Sequence, residues 1–406
     1  MQFVPDLLAR IADLYPAAPA MRDLLTGARV DYRTFDARAS RGAGVLAGLG
    51  VGAGDRVGIL CRNRIEFFEA LFAVARIGAI GVPLNWRMPA AELGGILAAA
   101  TPRIVLAGAE DEAKLPGDVR VVGFDDAGPA GWRKRLEAQD FTTAARDWPT
   151  GDIWYLLYTS GTTGAPKAVI QTYGMAVANH LAARQAIRLV RRQRTLNFLP
   201  LFHTAGINLF TLPFFFEGGE VAILPGFDVE RVMALLEEGL DAFFGVPAVY
   251  QELSLHPRFG ATDLSRVGSW ACGGAPLPDA LVRRFAAQGA NVCNGYGMTE
   301  SGPTTFLVDP EHATRKIGSV GRPRLMTRAR IIVADGAPAP AGVAGEMQLK
   351  GPGVTPGYWN APEATRAAFT EDGWLKTGDL ARFDEDGFAY IVGRSKEMYI
   401  SGGENV

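Results

Sequence analysis

Short apolar runs alternate along the chain with longer stretches whose apolar positions recur at helical spacing. Arg56–Leu60 reads as a buried strand. The next stretch, with Asn63 as its cap, carries Phe67, Leu71 and Val74 on one helical face through Arg76. Ahead of them, Thr34 predicts a capped helix through about Leu49, with Phe35, Leu46 and Leu49 apolar. A strand at Ala79–Leu84, a helix opened by Pro89 and a strand at Arg103–Leu106 follow. Such alternation implies parallel sheet covered by helices. Asp111–Thr150 carries the weakest pattern and reads as a surface connection.

The alternation resumes with strands at Ile153–Leu157 and Ala168–Gln171 and a helix at Tyr173–Leu189. Strands are predicted at Thr195–Leu199, Glu220–Leu224, Asp241–Val246, Val267–Cys272 and Ala290–Asn294. An apolar segment at Gly206–Phe216 and helices at Asp228–Glu238, Pro247–Leu255 and Pro278–Ala287 lie between them. From about Gly318 the texture becomes β-rich, with runs at Ala329–Val333, Gly345–Lys350, Leu380–Phe383 and Phe388–Val392 and one helix near Pro362–Phe369. The expected fold is α/β: two helix-covered, mainly parallel sheets packed together (1–150 and 151–317) and a small β-barrel-like subdomain (318–392).

At 406 residues the chain exceeds the ~250–300 at which single cores stop growing, so subdomains are expected. A net charge of −2 argues against a dominant nucleic-acid surface. Cys61, Cys272 and Cys293 lie far apart, as packed or free thiols of a reducing compartment do. The first twenty or so residues lack a signal-peptide core, and the apolar patch around Ala205–Phe216, broken by Pro213, is too short to span a bilayer. A cytoplasmic location and no integral membrane segment are the expectations.

The richest chemistry lies in Tyr158–Val169, YTSGTTGAPKAV. Thr159, Ser160, Thr162 and Thr163 surround Gly161 and Gly164, ahead of Pro166 and Lys167. Exposed N–H groups and hydroxyls in a glycine-permitted turn suit phosphate oxygens, and Lys167 adds a point charge. The flanking strands make this a strand-to-strand turn. A Walker loop opens a helix with Gly-Lys-Ser/Thr; here Pro166 precedes Lys167 and Ala168 follows it. An ordinary polar turn is the plain alternative. The stretch closely resembles the phosphate-binding motif of the acyl-adenylate-forming superfamily, which includes acyl-CoA synthetases, luciferase and peptide-synthetase adenylation domains.

Later stretches extend that resemblance in order. In Asn294–Glu300 (NGYGMTE), Tyr296 can lie flat against a purine, Thr299 can donate to phosphate, and Glu300 can hold Mg²⁺. The resemblance makes Asn294, Gly295, Tyr296, Gly297, Met298 and Thr299 nucleotide contacts and Glu300 the metal ligand. It also maps Gly273, Gly274 and Ala275 of ACGGAP to the border of adenine, with Cys272 read as a packed thiol. Asp379 in GWLKTGDL and Arg394 in GRSKEMYISGGENV correspond to ribose contacts, Ile391 joins the nucleotide set, and Lys396 falls at the interdomain hinge. Gly345–Trp359 reads as β structure without a chemical role. Leu199–Asn208 (LPLFHTAGIN) resembles the acyl-pocket motif and places His203 near the activated carboxylate, although a lone His beside Phe202 also suits a core. Thr204, Ala205, Gly206 (leaving space beside the histidine), Ile207, Gly245, Trp270, Gly295, Gly297 and Thr304 are further expected lining positions.

The resemblance spans the chain and is nearest to fatty-acyl and feruloyl-CoA ligases, with Lys167, His203, Thr299 and Glu300 as the catalytic set. It implies ATP, Mg²⁺ and CoA, a small carboxylic acid as substrate, and acyl-AMP as intermediate. A homodimer is left open. The chain ends just after the hinge, where the family continues into a mobile domain on the order of 100 residues that carries a catalytic lysine. Residues 393–406 are therefore expected to be the hinge alone, following one large unit at 1–392, and turnover by this chain to be poor. Two other readings stay open: an adenylation enzyme that loads a carrier protein, and a non-catalytic nucleotide-binding module.

Overall fold

The computed structural model describes residues 1–139, 145–159 and 166–394, with short strands at 400–401 and 404–405. Two large sheets carry the molecule. The first runs in the order Lys167–Thr172, Ile153–Thr159, Ile80–Pro83, Arg56–Leu60, Ile104–Ala107, Val121–Gly123, and is parallel except at the Lys167–Thr172 edge. The second has a parallel centre, Val292–Met298, Ser269–Cys272, Ala242–Gly245, Arg194–Asn197, Glu220–Ile223 and Pro19–Asp23. Antiparallel strands Gly302–Leu307 and Arg322–Pro323 close one end and Arg29–Asp31 the other. A separate β unit is a four-stranded antiparallel meander of Arg328–Ile332, Gly345–Lys350, Leu375–Phe383 and Ala389–Arg394, and Phe3–Val4 pairs with Trp148–Pro149 in a two-stranded ribbon.

The division expected at residue 150 does not follow the sheets. Strands 153–172 complete the first sheet and strands 19–31 the second, so the chain crosses between the two. A shared core joins them, with Ile59, Tyr155 and Leu157 from one sheet and Val221, Phe244 and Ala271 from the other, plus Phe35, Phe68 and Phe72 from intervening helices. The outer faces are covered separately, the first by Leu93, Ile96 and Leu97 and the second by Val232, Tyr250 and Phe285. Among the described residues no helix is long and apolar enough to cross a membrane.

Several local expectations shift. Helix Tyr32–Gly48 is capped by Asp31, whose carboxylate accepts from Thr34 N, so Thr34 lies inside the first turn. Asn63 does not cap helix Ile65–Arg76; its amide donates 2.8 Å to Leu199 O. Asp111–Thr150 is more than a surface connection. It supplies a strand to the first sheet and a helix at Trp132–Ala138, and it buries Trp132 and Trp148 completely. Trp148 stacks on Tyr173 at 4.9 Å, an anchor without periodicity that sequence pattern does not register.

Strand alternation also relocates expected pocket residues. Successive side chains on a strand face opposite sides, so Phe243 and Trp270 face the outer core while Phe244 and Ala271 face the inner one. Trp270 packs on Phe243 at 5.3 Å and Phe285 at 5.8 Å, and its indole donates to Leu264 O. It is a core residue and lines no acyl site. Gly245 likewise faces Val249, 2.9 Å from where a Cβ would sit. Trp270→Ala is expected to lose about 3–5 kcal/mol of stability by cavity formation. Chemical denaturation checks this; a loss below about 1 kcal/mol would contradict the core placement.

Helix Ile65–Arg76 buries Glu69, which accepts 3.0 Å from Arg38. Burial lifts its carboxyl to about 7, against the opposing pull of Arg38. Unfolding therefore releases a proton between about pH 4.5 and 7, and Glu69 costs stability as pH rises through that window. Glu69→Gln is expected to gain on the parent across this range, by on the order of 2–3 kcal/mol. Paired melts at successive pH values test it; a pH-independent difference would contradict it.

Candidate active site

The strands that flank residues 160–165 pair as expected. Strands Ile153–Thr159 and Lys167–Thr172 pair antiparallel with Thr159 opposite Lys167, and the Thr159 hydroxyl lies 3.4 Å from Lys167 O. Ser160, Gly161, Thr162, Thr163 and Gly164, with Lys396 at the hinge, lie outside the described residues.

Beside this edge runs the segment Thr355–Trp359. Trp359 N donates to Ala168 O and Ile170 N to Gly357 O, while the Thr355 hydroxyl donates to Ile170 O. The exposed sheet edge is thereby satisfied. Gly357 has φ +145, and a Cβ there would meet Thr365 Oγ1 at 2.7 Å, so glycine is required. Tyr358, pointing back over the hairpin, donates 2.9 Å to Glu300 Oε1, and Lys167 Nζ lies 5.4 Å from its ring centroid.

Glu300 sits at the end of an unexpected hairpin. Strand Val292–Met298 runs through most of NGYGMTE and returns antiparallel as Gly302–Leu307. Gly295 and Gly297 consequently face the returning strand, with Phe306 O and Gly302 O within 2.9 and 2.4 Å of their Cβ positions. Glu300 is 8% exposed. Desolvation raises its carboxyl above the usual range, opposed by the Tyr358 hydrogen bond and the charges of Lys167 and Arg394. Among the described residues no three His, Cys, Asp or Glu side chains cluster as a metal cage. A buried carboxylate short of countercharge, with a lysine nearby, fits a divalent ion that brings phosphate oxygens and water as its other ligands.

Tyr296 leads to a second buried carboxylate. Its hydroxyl donates 2.5 Å to Asp379 Oδ2, and Arg394 Nε contacts Asp379 Oδ1 at 2.7 Å. Both carboxylate oxygens are thus engaged, each with a further lone pair for a ligand hydroxyl. Ile391 and the half-buried Tyr296 pack against the meander's core. Met298 Sδ lies 3.7 Å from the Tyr296 hydroxyl, and Asn294 donates to Ser319 O. Gly273 lies across from Gly295, a Cβ there meeting Gly295 O at 3.3 Å and Phe244 at 3.4 Å. Gly274 is exposed with φ +81, and Ala275 is half-buried beside it. The Cys272 thiol is fully buried, and that burial holds it protonated, as expected of a packed cysteine.

The acyl segment divides. His203 is partly exposed, its ring 4.5 Å from Phe202. Thr204 is buried, and a π-helix, the irregularity that often marks functional sites, spans Ala205–Leu209. Ala205 is partly buried, whereas Ile207 is wholly in the core. Gly206 does not leave ligand space: a Cβ would lie 2.2 Å from Pro200 O, so backbone fills it. Thr304 is buried with an unpartnered hydroxyl. The inward aromatic here is Phe244, against Phe210 at 6.3 Å.

Sequence reasoning missed a buried polar bridge between these regions. Gln171 donates 2.9 Å to Thr299 O and accepts a long 3.5 Å contact from Asn208. Asn208 also donates to Thr204 Oγ1 at 3.0 Å and accepts from Tyr155 at 2.7 Å. Polar residues inside predicted strands and an apolar segment were the available signal.

A family model described as AMP-binding enzyme matches residues 8–359. A feruloyl-CoA synthase of Amycolatopsis is 38% identical over 405 residues, covering 98% of this chain and 79% of the relative. The long-chain-fatty-acid–CoA ligase FadD13 of Mycobacterium tuberculosis is 35% identical over 407 residues, covering 98% and 80%. The inhibitor-bound N-terminal domain of FACL13 from the same organism superposes with TM-score 0.90 at 32% identity, covering 97% of this chain and all of that one. ATP-bound MatB of Rhodopseudomonas palustris gives 0.87 at 29%, covering 99% and 81%. The chain belongs to the AMP-binding enzymes, the family of AMP-forming acyl- and aryl-CoA ligases.

Proposed function

We propose that this chain binds ATP and an apolar carboxylic acid, aryl or fatty, for a two-step ligation to CoA. The observation that carries the reading is the meeting of Lys167, Tyr358 and Glu300 on one side of the Tyr296–Asp379–Arg394 group. In the first step a carboxylate oxygen bonds to the α-phosphorus of ATP and the bond to the bridging oxygen breaks, releasing pyrophosphate. In the second the CoA sulfur, losing its proton, bonds to the acyl carbon and AMP leaves. Two anions must meet in the first step, so charge compensation is the main demand.

Lys167 and the hairpin hydroxyls would hold the outer phosphates. Glu300 would hold Mg²⁺, whose chemistry there is neutralisation of phosphate charge. Asp379 would accept the ribose hydroxyls, with Arg394 and Tyr296 fixing its orientation. The acyl group would lie between the His203–Ala205 turn and Phe244, near Gly273. Relatives named for feruloyl and long-chain fatty substrates support an apolar acid of either class.

Calorimetry with acyl-sulfamoyl-adenosines, which mimic acyl-AMP, tests the reading. A fatty or hydroxycinnamoyl analogue is expected to bind at least about tenfold tighter than sulfamoyl-adenosine itself, as burial of a few methylene equivalents provides. Equal affinity for all would overturn it. Asp379→Asn is expected to weaken every adenosine ligand about tenfold, the scale of a charge-assisted hydrogen bond. Unaltered binding in the same titration would remove Asp379 from the ribose role.

A further inference from the structure

We propose that Tyr358 is a positioning residue for the nucleotide and its metal, setting the Glu300 carboxylate through its hydroxyl and the Lys167 ammonium through its ring. This rests on the nucleotide-binding reading above. The segment that carries Tyr358 lies more than fifty residues from either partner in sequence, yet docks between them. Its backbone is pinned on both sides. Thr355 N donates 2.7 Å to Glu300 O, and Trp359 N donates 2.9 Å to Ala168 O, next to Lys167. Tyr358 N is itself held by Thr365 Oγ1 at 3.0 Å, and Gly357 supplies the conformation that no side chain tolerates there.

The ring and the hydroxyl do different work. The hydroxyl donates to Glu300 Oε1, which fixes the carboxylate plane and directs its remaining lone pairs. The hydroxyl is the donor in this contact, and the carboxylate oxygen accepts. The ring face lies 5.4 Å from Lys167 Nζ, within cation–π reach. It restrains a flexible side chain without neutralising its charge, leaving the ammonium's three donors for phosphate. A carboxyl group in the ring's place would compete with phosphate for that lysine.

Two substitutions separate the roles. Tyr358→Phe keeps the ring and removes the donor; Tyr358→Leu removes both. ATP binding is titrated calorimetrically with and without Mg²⁺, and a metal-free acyl-sulfamoyl-adenosine, which lacks the outer phosphates, serves as control. In Tyr358→Phe the gain in ATP affinity on adding Mg²⁺ is expected to fall about tenfold, the scale of a hydrogen bond to a charged group. Metal-free ATP affinity should stay within about twofold of the parent. Tyr358→Leu is expected to lose metal-free ATP affinity as well, by about threefold, the scale of an exposed cation–π contact. Both variants should bind the control as the parent does. An undiminished Mg²⁺ gain in Tyr358→Phe overturns the proposal, and so does an equal loss for the control, which marks a merely structural role. A parent chain that binds no ATP overturns the nucleotide-binding reading, and this inference with it.

Discussion

Burying a carboxylate costs several kcal/mol unless its charge is met, and Glu300 is buried where the two large sheets and the β meander approach one another. The surrounding structure is arranged around that cost. The hairpin Val292–Met298 to Gly302–Leu307 delivers the residue, and Thr355 N binds its backbone carbonyl. Tyr358 supplies one hydrogen bond, while Lys167 and Arg394 add positive potential around it. The compensation is partial, as expected of a site whose missing charge comes from a ligand.

Asp379 follows the opposite pattern. It is as buried as Glu300, but both its oxygens are occupied, by Tyr296 and Arg394. A fully paired buried carboxylate is a fixed acceptor. A partly paired one is a receptor for charge. Tyr296, which binds Asp379, stands four positions before Glu300, so one hairpin links the two carboxylates. The Gln171–Asn208 bridge ties the hairpin to the acyl segment, giving the π-helix Ala205–Leu209 a defined position relative to the phosphate edge.

Much of this was legible in sequence where the signal was local. Strand Arg56–Leu60 and helix Pro247–Leu255 appear with the bounds their periodicity predicts, and the strands on either side of residues 160–165 pair antiparallel, as a strand-to-strand connection requires. Tyr296, Asp379 and Arg394, expected from the resemblance to share one site, do come together. What failed was information set by packing. Trp270 looked like a pocket wall because it is large and apolar, but its side of the strand depends on which face meets which core. Gly206 looked like open space and Gly245 like a pocket wall, although Pro200 and Val249 occupy the positions beside them. Tyr358 was invisible because its partners, Lys167 and Glu300, are far away in sequence and its own neighbourhood reads as plain β structure. The residue-150 boundary failed for a related reason: sheet membership is non-local, and strands 19–31 and 153–172 change sides.

The central claim is that Lys167, Tyr358 and Glu300 form one corner for triphosphate and metal. A crystal structure of the chain grown with ATP and Mn²⁺, with the metal located by its anomalous signal, tests it most directly. Mn²⁺ is expected in direct contact with a Glu300 oxygen, with the outer phosphates at Lys167 and the Tyr358 hydroxyl still on Oε1. A metal bound away from Glu300, or a nucleotide seated with its phosphates remote from Lys167, would contradict it.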